Sequence, residues 1–153
     1  MASELLDSGV KPYDIYIPIY EERKLSQLRL MSYVINNLKF SLNKKVCSAV
    51  IDNNALIKTK SSLEDIDGFT EFLRAIENVE VSFLLTEQSN DSFRVNFRSK
   101  GKYIINDIAS EFGGGGHKFA AGCSVSNSNA IEIQEKIVNL LKSKMDKDVN
   151  KEW

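Results

Sequence analysis

The stretch Phe112-Gly113-Gly114-Gly115-Gly116-His117-Lys118-Phe119-Ala120-Ala121-Gly122 holds four of the chain's eight glycines in one run, followed at once by its single histidine. Glycine has no side chain and adopts positive φ at no steric cost. A run of four can lie flat against a neighbour and turn its N–H groups outward, and such groups form concavities that bind anions. A flexible linker would be polar on both sides. This run is bracketed by Phe112 and by Phe119-Ala120-Ala121, which read as packed residues. It is therefore a built element of a folded domain, with His117 adding a donor or a charge near neutral pH.

A chain of 153 residues allows one domain with a good core, or a small domain plus an appendage. The formal net charge of −1 gives no global basic field toward nucleic acid, so any anion site must be local. Cys47 and Cys123 are isolated in apolar runs and read as reduced, buried thiols rather than a disulfide. One histidine and two distant cysteines make no zinc ligand set, so no metal is expected on this chain. No apolar run is long enough to span a bilayer and no signal peptide is read, which implies a cytoplasmic protein without membrane partners.

Residues 1 to 20 contain both prolines, Pro12 and Pro18, among apolar residues with no clean helical period. They read as an arm, or as the connector leaving an upstream domain, with Gly9 stopping a helix. From Glu21 to Asn43 the pattern is helical, with Leu28, Met31, Ile35, Leu38 and Leu42 forming one apolar stripe. Val46 to Ile51 reads as a buried strand, ended by turn chemistry at Asp52-Asn53-Asn54. Ser61 or Ser62 caps a helical stretch to about Ile76, which Gly68 divides in two. Asp65 and Asp67 read as solvated, helix-starting charge.

Val79 to Thr86 and Phe93 to Arg98 read as an antiparallel hairpin. Strict alternation in the second strand puts Phe93, Val95 and Phe97 on one face and Arg94, Asn96 and Arg98 on the other. A two-turn helix with Ile105, Ile108, Ala109 and Phe112 follows, stopped by Gly113. After the glycine run come a strand from about Cys123 to Val125 and a helix from about Ala130 to Met145, capped by Ser128 or Asn129. The lysines Lys142, Lys144 and Lys147 suit the end of that helix. The fold class is α/β: a mixed sheet of four to five strands with flanking helices, preceded by a linker helix.

Between Arg94 and Lys118 the cations Arg94, Arg98, Lys100, Lys102 and Lys118 outnumber Asp107 and Glu111. Positive charge is concentrated around one anion-shaped loop, and phosphate is the natural ligand class. Phe97-Arg98-Ser99, a short helix and then FGGGGHKFAAG resemble the C-terminal DHH-associated domain, type one, of the DHH phosphoesterase superfamily. The similarity is to the NrnA-like oligoribonuclease and pAp phosphatase subgroup. It extends from about Val46 to Leu141. The resemblance implies a substrate-binding domain over residues 46–145. Residues 1–45 would be linker and helix, the remnant of the connection to a DHH catalytic domain, and residues 146–153 a frayed tail.

The resemblance further implies that Arg98 and Ser99 hold phosphate or base. Gly114, Gly115 and Gly116 would offer backbone N–H groups, and His117 would contact a terminal phosphate. Asn96, Lys100 and Lys118 are secondary candidates, and Asn96 stands where relatives often carry serine. Phe119 could stack on a base, although its apolar neighbours favour a core role. The implied partners are short single-stranded RNA or nucleotide phosphates and the upstream DHH domain, with a homodimer left open. That domain would hold two metal ions, typically manganese. This chain has no Asp-His-His and would be inactive alone. The alternative class is a nucleic-acid-binding or dimerisation module like the C-terminal domain of alanyl-tRNA synthetase.

Overall fold

The computed structural model describes Lys11, Tyr13, Tyr16, residues 22–89 and residues 91–149. Most of the arm over residues 1–20 and residues 150–153 of the expected tail lie outside these residues, whereas residues 146–149 of that tail continue the last helix.

The chain runs α1 (Leu25–Asn36), β1 (Lys39–Ser41), β2 (Val46–Ile51), α2 (Asn53–Thr59), a 3-10 turn (Leu63–Ile66) and α3 (Phe69–Ala75). It continues through β3 (Val81–Ser89), β4 (Ser92–Ser99), α4 (Asn106–Ser110), β5 (Gly115–His117), β6 (Ala120–Ser126) and α5 (Ala130–Val149). The strands form one sheet in the order β1-β2-β3-β4-β6-β5. Only β2 and β3 are parallel; the other neighbours are antiparallel. A parallel pair needs a crossover, and the segment from α2 to α3 supplies it. The class is α/β with a mixed sheet, as the sequence implies, but with six strands.

The two extra strands have local causes. The helical pattern expected to Asn43 ends at Asn36, and Leu42, Asn43 and Lys44, all at positive φ, turn β1 back onto β2. The glycine run itself forms β5, pairing Gly115 with Gly122 and His117 with Ala120.

Each sheet face carries its own core. On one face α4 and α5 cover Phe83, Leu85, Val95 and Phe97 with Ile108, Ile133, Ile137 and Leu141. On the other, α1, α2 and α3 cover Cys47, Ala49, Ile51 and Leu84 with Leu30, Val34, Ala55, Phe69 and Leu73. The helices of this second core lie over the β2 and β3 side of the sheet. Among the described residues, no residue of β6 or β5 belongs to this second core.

Three local readings are corrected. The buried side of α1 is Leu30 and Val34, while Leu28 and Ile35 of the expected stripe are exposed. Asp52 does not end a strand into a turn but caps α2, its carboxylate accepting from Ala55 N at 2.7 Å. Asp65 is buried rather than solvated, because its carboxylate accepts from Ser62 N at 3.0 Å in a capping box. That bond, helped by Ser26 and Lys24, outweighs desolvation and holds its carboxyl below the ordinary value. Gly68, at φ 78°, divides the stretch in two as expected, and Asn129 caps α5. Both cysteines are free and buried, and burial pushes their thiols up to about 11.

Candidate functional site

Alternation in β4 works as the sequence requires. Phe93, Val95, Phe97 and Ser99 are buried, while Arg94 is exposed and Asn96 and Arg98 are half-buried. Register then decides their neighbours. Arg94, Asn96 and Arg98 stand opposite Ser124, Gly122 and Ala120 of β6. Gly122 and Ala120 stand in turn opposite Gly115 and His117 of β5. Two rows thus run out from the β4 side chains to the sheet edge, Asn96-Gly122-Gly115 and Arg98-Ala120-His117, while the row from Arg94 ends at Ser124. The result is an open half-face with a nearly bare floor, flanked by two guanidiniums, an amide and an imidazole.

The four glycines have different physical reasons. A Cβ on Gly114 would sit 2.4 Å from Cys123 Cβ, and one on Gly116 would sit 2.7 Å from Ala120 O, with Gly116 also at φ 139°. Gly113 is at φ 71° beyond α4. These three are required by the fold. Gly115 is not: a Cβ there would meet nothing within 4 Å, and its backbone needs no left-handed conformation. Its neighbour Gly122 is tight, with Val95 O at 3.1 Å and Asn96 Oδ1 at 3.4 Å from an added Cβ. Gly115 therefore lies where something outside the fold can approach the backbone.

Arg98 is held in place. Its Nε donates to Glu71 Oε1 of α3 at 2.7 Å and its Nη1 to Phe97 O at 2.9 Å. Burial works to raise the Glu71 carboxyl, but the Arg98 hydrogen bond and charge, its own backbone N–H and Arg74 together hold it below its ordinary value. The remaining charge of this guanidinium is thus partly neutralised, whereas the side chains of Arg94 and His117 have no hydrogen bond or ion pair among the described residues.

The structure does not bring all the sequence candidates together. Ser99 is buried on the opposite sheet face from Arg98, and its hydroxyl accepts from Gly101 N at 3.2 Å. Adjacent strand residues face opposite ways, so an Arg-Ser dipeptide cannot offer both side chains to one ligand from here. Gly114 N donates to Ala109 O at 2.9 Å and closes the end of α4, so its N–H is already used. Lys100 reaches away from the glycines and donates to Ile76 O at 3.0 Å. Lys118 is exposed in the turn between β5 and β6. Phe119 beside it is 40% exposed, not core.

Sequence reasoning missed Glu71, Thr86 and Gln88. They line, with Arg94, Asn96 and Arg98, a cavity of about 430 Å³ between the sheet and the turn before α3. Nothing local marks Glu71, which sits 27 residues from the arginine it holds. Thr86 was legible only as a strand residue. Among the described residues no group of three His, Cys, Asp or Glu side chains is placed to hold a metal. No helix among them is long and apolar enough to cross a membrane.

The chain is 28% identical over 145 residues to the bifunctional oligoribonuclease and PAP phosphatase NrnA of Thermus thermophilus, covering 95% of this chain and 43% of that protein. It is 29% identical over 124 residues to the NrnA of Bacillus subtilis, covering 81% of this chain and 38% of that protein. A crystal structure of an exopolyphosphatase-related protein from Bacteroides fragilis superposes with a TM-score of 0.80 at 31% identity, over 93% of this chain and 42% of the other. The chain thus spans about two fifths of the relatives it matches. A family model, the DHHA1 domain, matches residues 30–147, from within α1 to near the end of α5. The open, glycine-floored half of a mixed sheet is thus the face of a DHHA1 domain, and the chain belongs to that family.

Proposed function

We propose that this chain is the substrate-binding half of a DHH-family phosphoesterase and grips the phosphates of short oligoribonucleotides, linear dinucleotides or pAp. The observation that carries the reading is Gly115, a glycine the fold does not need, on an exposed strand beside His117 and in one row with Gly122 and Asn96. A phosphate lying on that floor can approach the backbone without meeting a side chain. It accepts hydrogen bonds from His117 and from the Arg94 guanidinium, whose planar fork matches its oxygens. Arg98, already oriented by Glu71, adds a positioned charge at the far row. Gly116 completes the β5 edge, and Lys118 in the adjacent turn adds a mobile cation.

Hydrolysis belongs to an upstream DHH domain with a two-metal centre, for which we take manganese. Such a centre activates water and stabilises the leaving oxygen. The described residues of this chain do not fit a metal, so the chain itself binds, orients and discriminates. Two buried, unpaired thiols fit a reducing compartment, and we place the protein in the cytoplasm.

Titrating pAp against the chain and its His117→Ala variant tests the reading. The variant should bind roughly tenfold more weakly, the worth of one charge-assisted hydrogen bond. Equal affinities would remove His117 from the site. Turnover of a dinucleotide with manganese by this chain alone would refute the division of labour.

A further inference from the structure

A second cavity, of about 350 Å³, opens on the other side of the sheet, between the strands β1 and β2 and the helix α5. Its size lies at the lower end of small-ligand clefts, which start at about 300 Å³. Ser48 on its wall stands in one row with Phe83 and Phe97, which α4 and α5 cover. The sheet therefore separates this cavity from Arg94, Asn96 and the glycine floor. Two apolar patterns break at this one place. Ser48 interrupts a row of β2 between Val46 and Val50, and Gln134 interrupts the buried side of α5 between Ala130 and Val138. Both polar residues are buried, at 3% and 5% exposure. An apolar pair of the same shape would fill these positions with no desolvation cost.

The bonds of this pair fix which protons are left over. Lys39 Nζ can only donate, and it donates to Gln134 Oε1 at 3.0 Å. The amide nitrogen of Gln134 therefore turns to Ser48 and donates to its Oγ at 3.1 Å. Among the described residues the Ser48 hydroxyl makes that one hydrogen bond, and it accepts in it. Its own proton has no acceptor, although buried polar groups are nearly always paired. Lys39 keeps two further protons, and because both groups are tied to one amide they lie side by side. Glu135, the next residue of α5, is the one carboxylate on the wall. Among the described residues neither it nor Lys39 is in an ion pair. A wall with one charge of each sign repels a phosphate from its acidic side and suits a ligand that carries both signs. Ile131, 60% exposed, and Val138 give the same helix an apolar flank.

We propose that this cavity is a binding site for a free α-amino acid with an apolar side chain. The carboxylate of the ligand takes the protons of Lys39 and Ser48, its ammonium meets Glu135, and its side chain lies on Ile131 and Val138. Hydrogen bonds between ionised groups are the strong ones, and this wall offers one at each end of the ligand. The site is independent of the phosphate reading above, because the sheet stands between the two.

Amide chemical-shift titrations of the chain with leucine, with isocaproate, which lacks the amine, and with isoamylamine, which lacks the carboxylate, test this. Leucine should shift Ser48, Gln134 and Val138 and leave Gly115 and His117 in place. Each truncated probe should bind roughly tenfold more weakly than leucine, the loss of one charge-assisted contact. Glu135→Gln, at an exposed position, should bring leucine down to the affinity of isocaproate. Lys39→Met, also exposed, should bring it down to that of isoamylamine. Ser48→Ala should lose several-fold for leucine and isocaproate and nothing for isoamylamine. Three results would each overturn the site: no shift of Ser48 and Gln134 with leucine, equal binding of leucine and isocaproate by the wild type, or inorganic phosphate binding there more tightly than leucine. None of them touches the phosphate face, whose own test is the pAp titration.

Discussion

Gly115 and Gly116 are adjacent, exposed and chemically identical, yet they exist for different reasons. A methyl group on Gly116 collides with backbone at 2.7 Å in a left-handed conformation, whereas one on Gly115 points into open space. Gly116→Ala should therefore destabilise the protein by about 2 kcal/mol, at the upper end of ordinary substitutions, and lower the thermal midpoint. Gly115→Ala should stay within about 0.5 kcal/mol of wild type in stability. It should instead weaken binding of pAp, because the new methyl stands where the phosphate approaches. Thermal denaturation beside a binding titration separates the two, and a Gly115→Ala protein with full affinity would take the ligand off this floor. The glycine run was plain in the sequence, but which of its members the fold itself requires was not, since only contacts with Ala120, Ala121, Gly122 and Cys123 tell them apart.

At the scale of elements, α3 matters through one ion pair. It lies against β3 and β4, and Glu71 on it fixes Arg98 on the strand. The folded-state carboxyl of Glu71 is held below its ordinary 4.5, so it stabilises the fold above that pH and loses its contribution as pH falls through the lowered value. Asp65, lowered from 3.8 by its capping hydrogen bond, acts with the same sign. The urea midpoint should therefore fall between neutral pH and about pH 3, and it should fall less in Glu71→Gln, which lacks one of the two carboxylates. An identical fall in both proteins would show that the ion pair adds nothing to folding. Since the pair is partly exposed to solvent, its effect is expected to be small.

For the molecule as a whole, α1 shows what sheet packing decides. Its period was visible in the sequence, but Leu28, Met31 and Ile35 repeat as well as Leu30 and Val34 do. A helix carrying apolar residues on two sides does not say which one a sheet will take. Leu30 and Val34 are fully buried against Cys47, Ala49 and Ile51, while Leu28 is 52% exposed. Leu30→Ala should cost roughly 2 to 5 kcal/mol. Leu28→Ala should lie within about 0.5 kcal/mol of wild type. Chemical denaturation of the two variants checks this, and equal losses would mean that α1 sits on the sheet in another rotation.

The strands β2, β3 and β4, the break at Gly68, a cap at Ser128 or Asn129 and the glycine run with its histidine were determined by the sequence alone. Each rests on local rules: β-branched runs, alternation, turn residues and caps act within a few positions. The tertiary structure decided what joins residues distant in sequence. It put β1 on the edge of the sheet, made the glycine run a strand, sent Ser99 away from Arg98, tied Arg98 to Glu71 and left the Thr86 hydroxyl without a partner beside a cavity. The physical reason is register. Which residues share a face of β4 follows from period two, but which residues of β3, β6 and β5 stand beside them is fixed only when the strands pair.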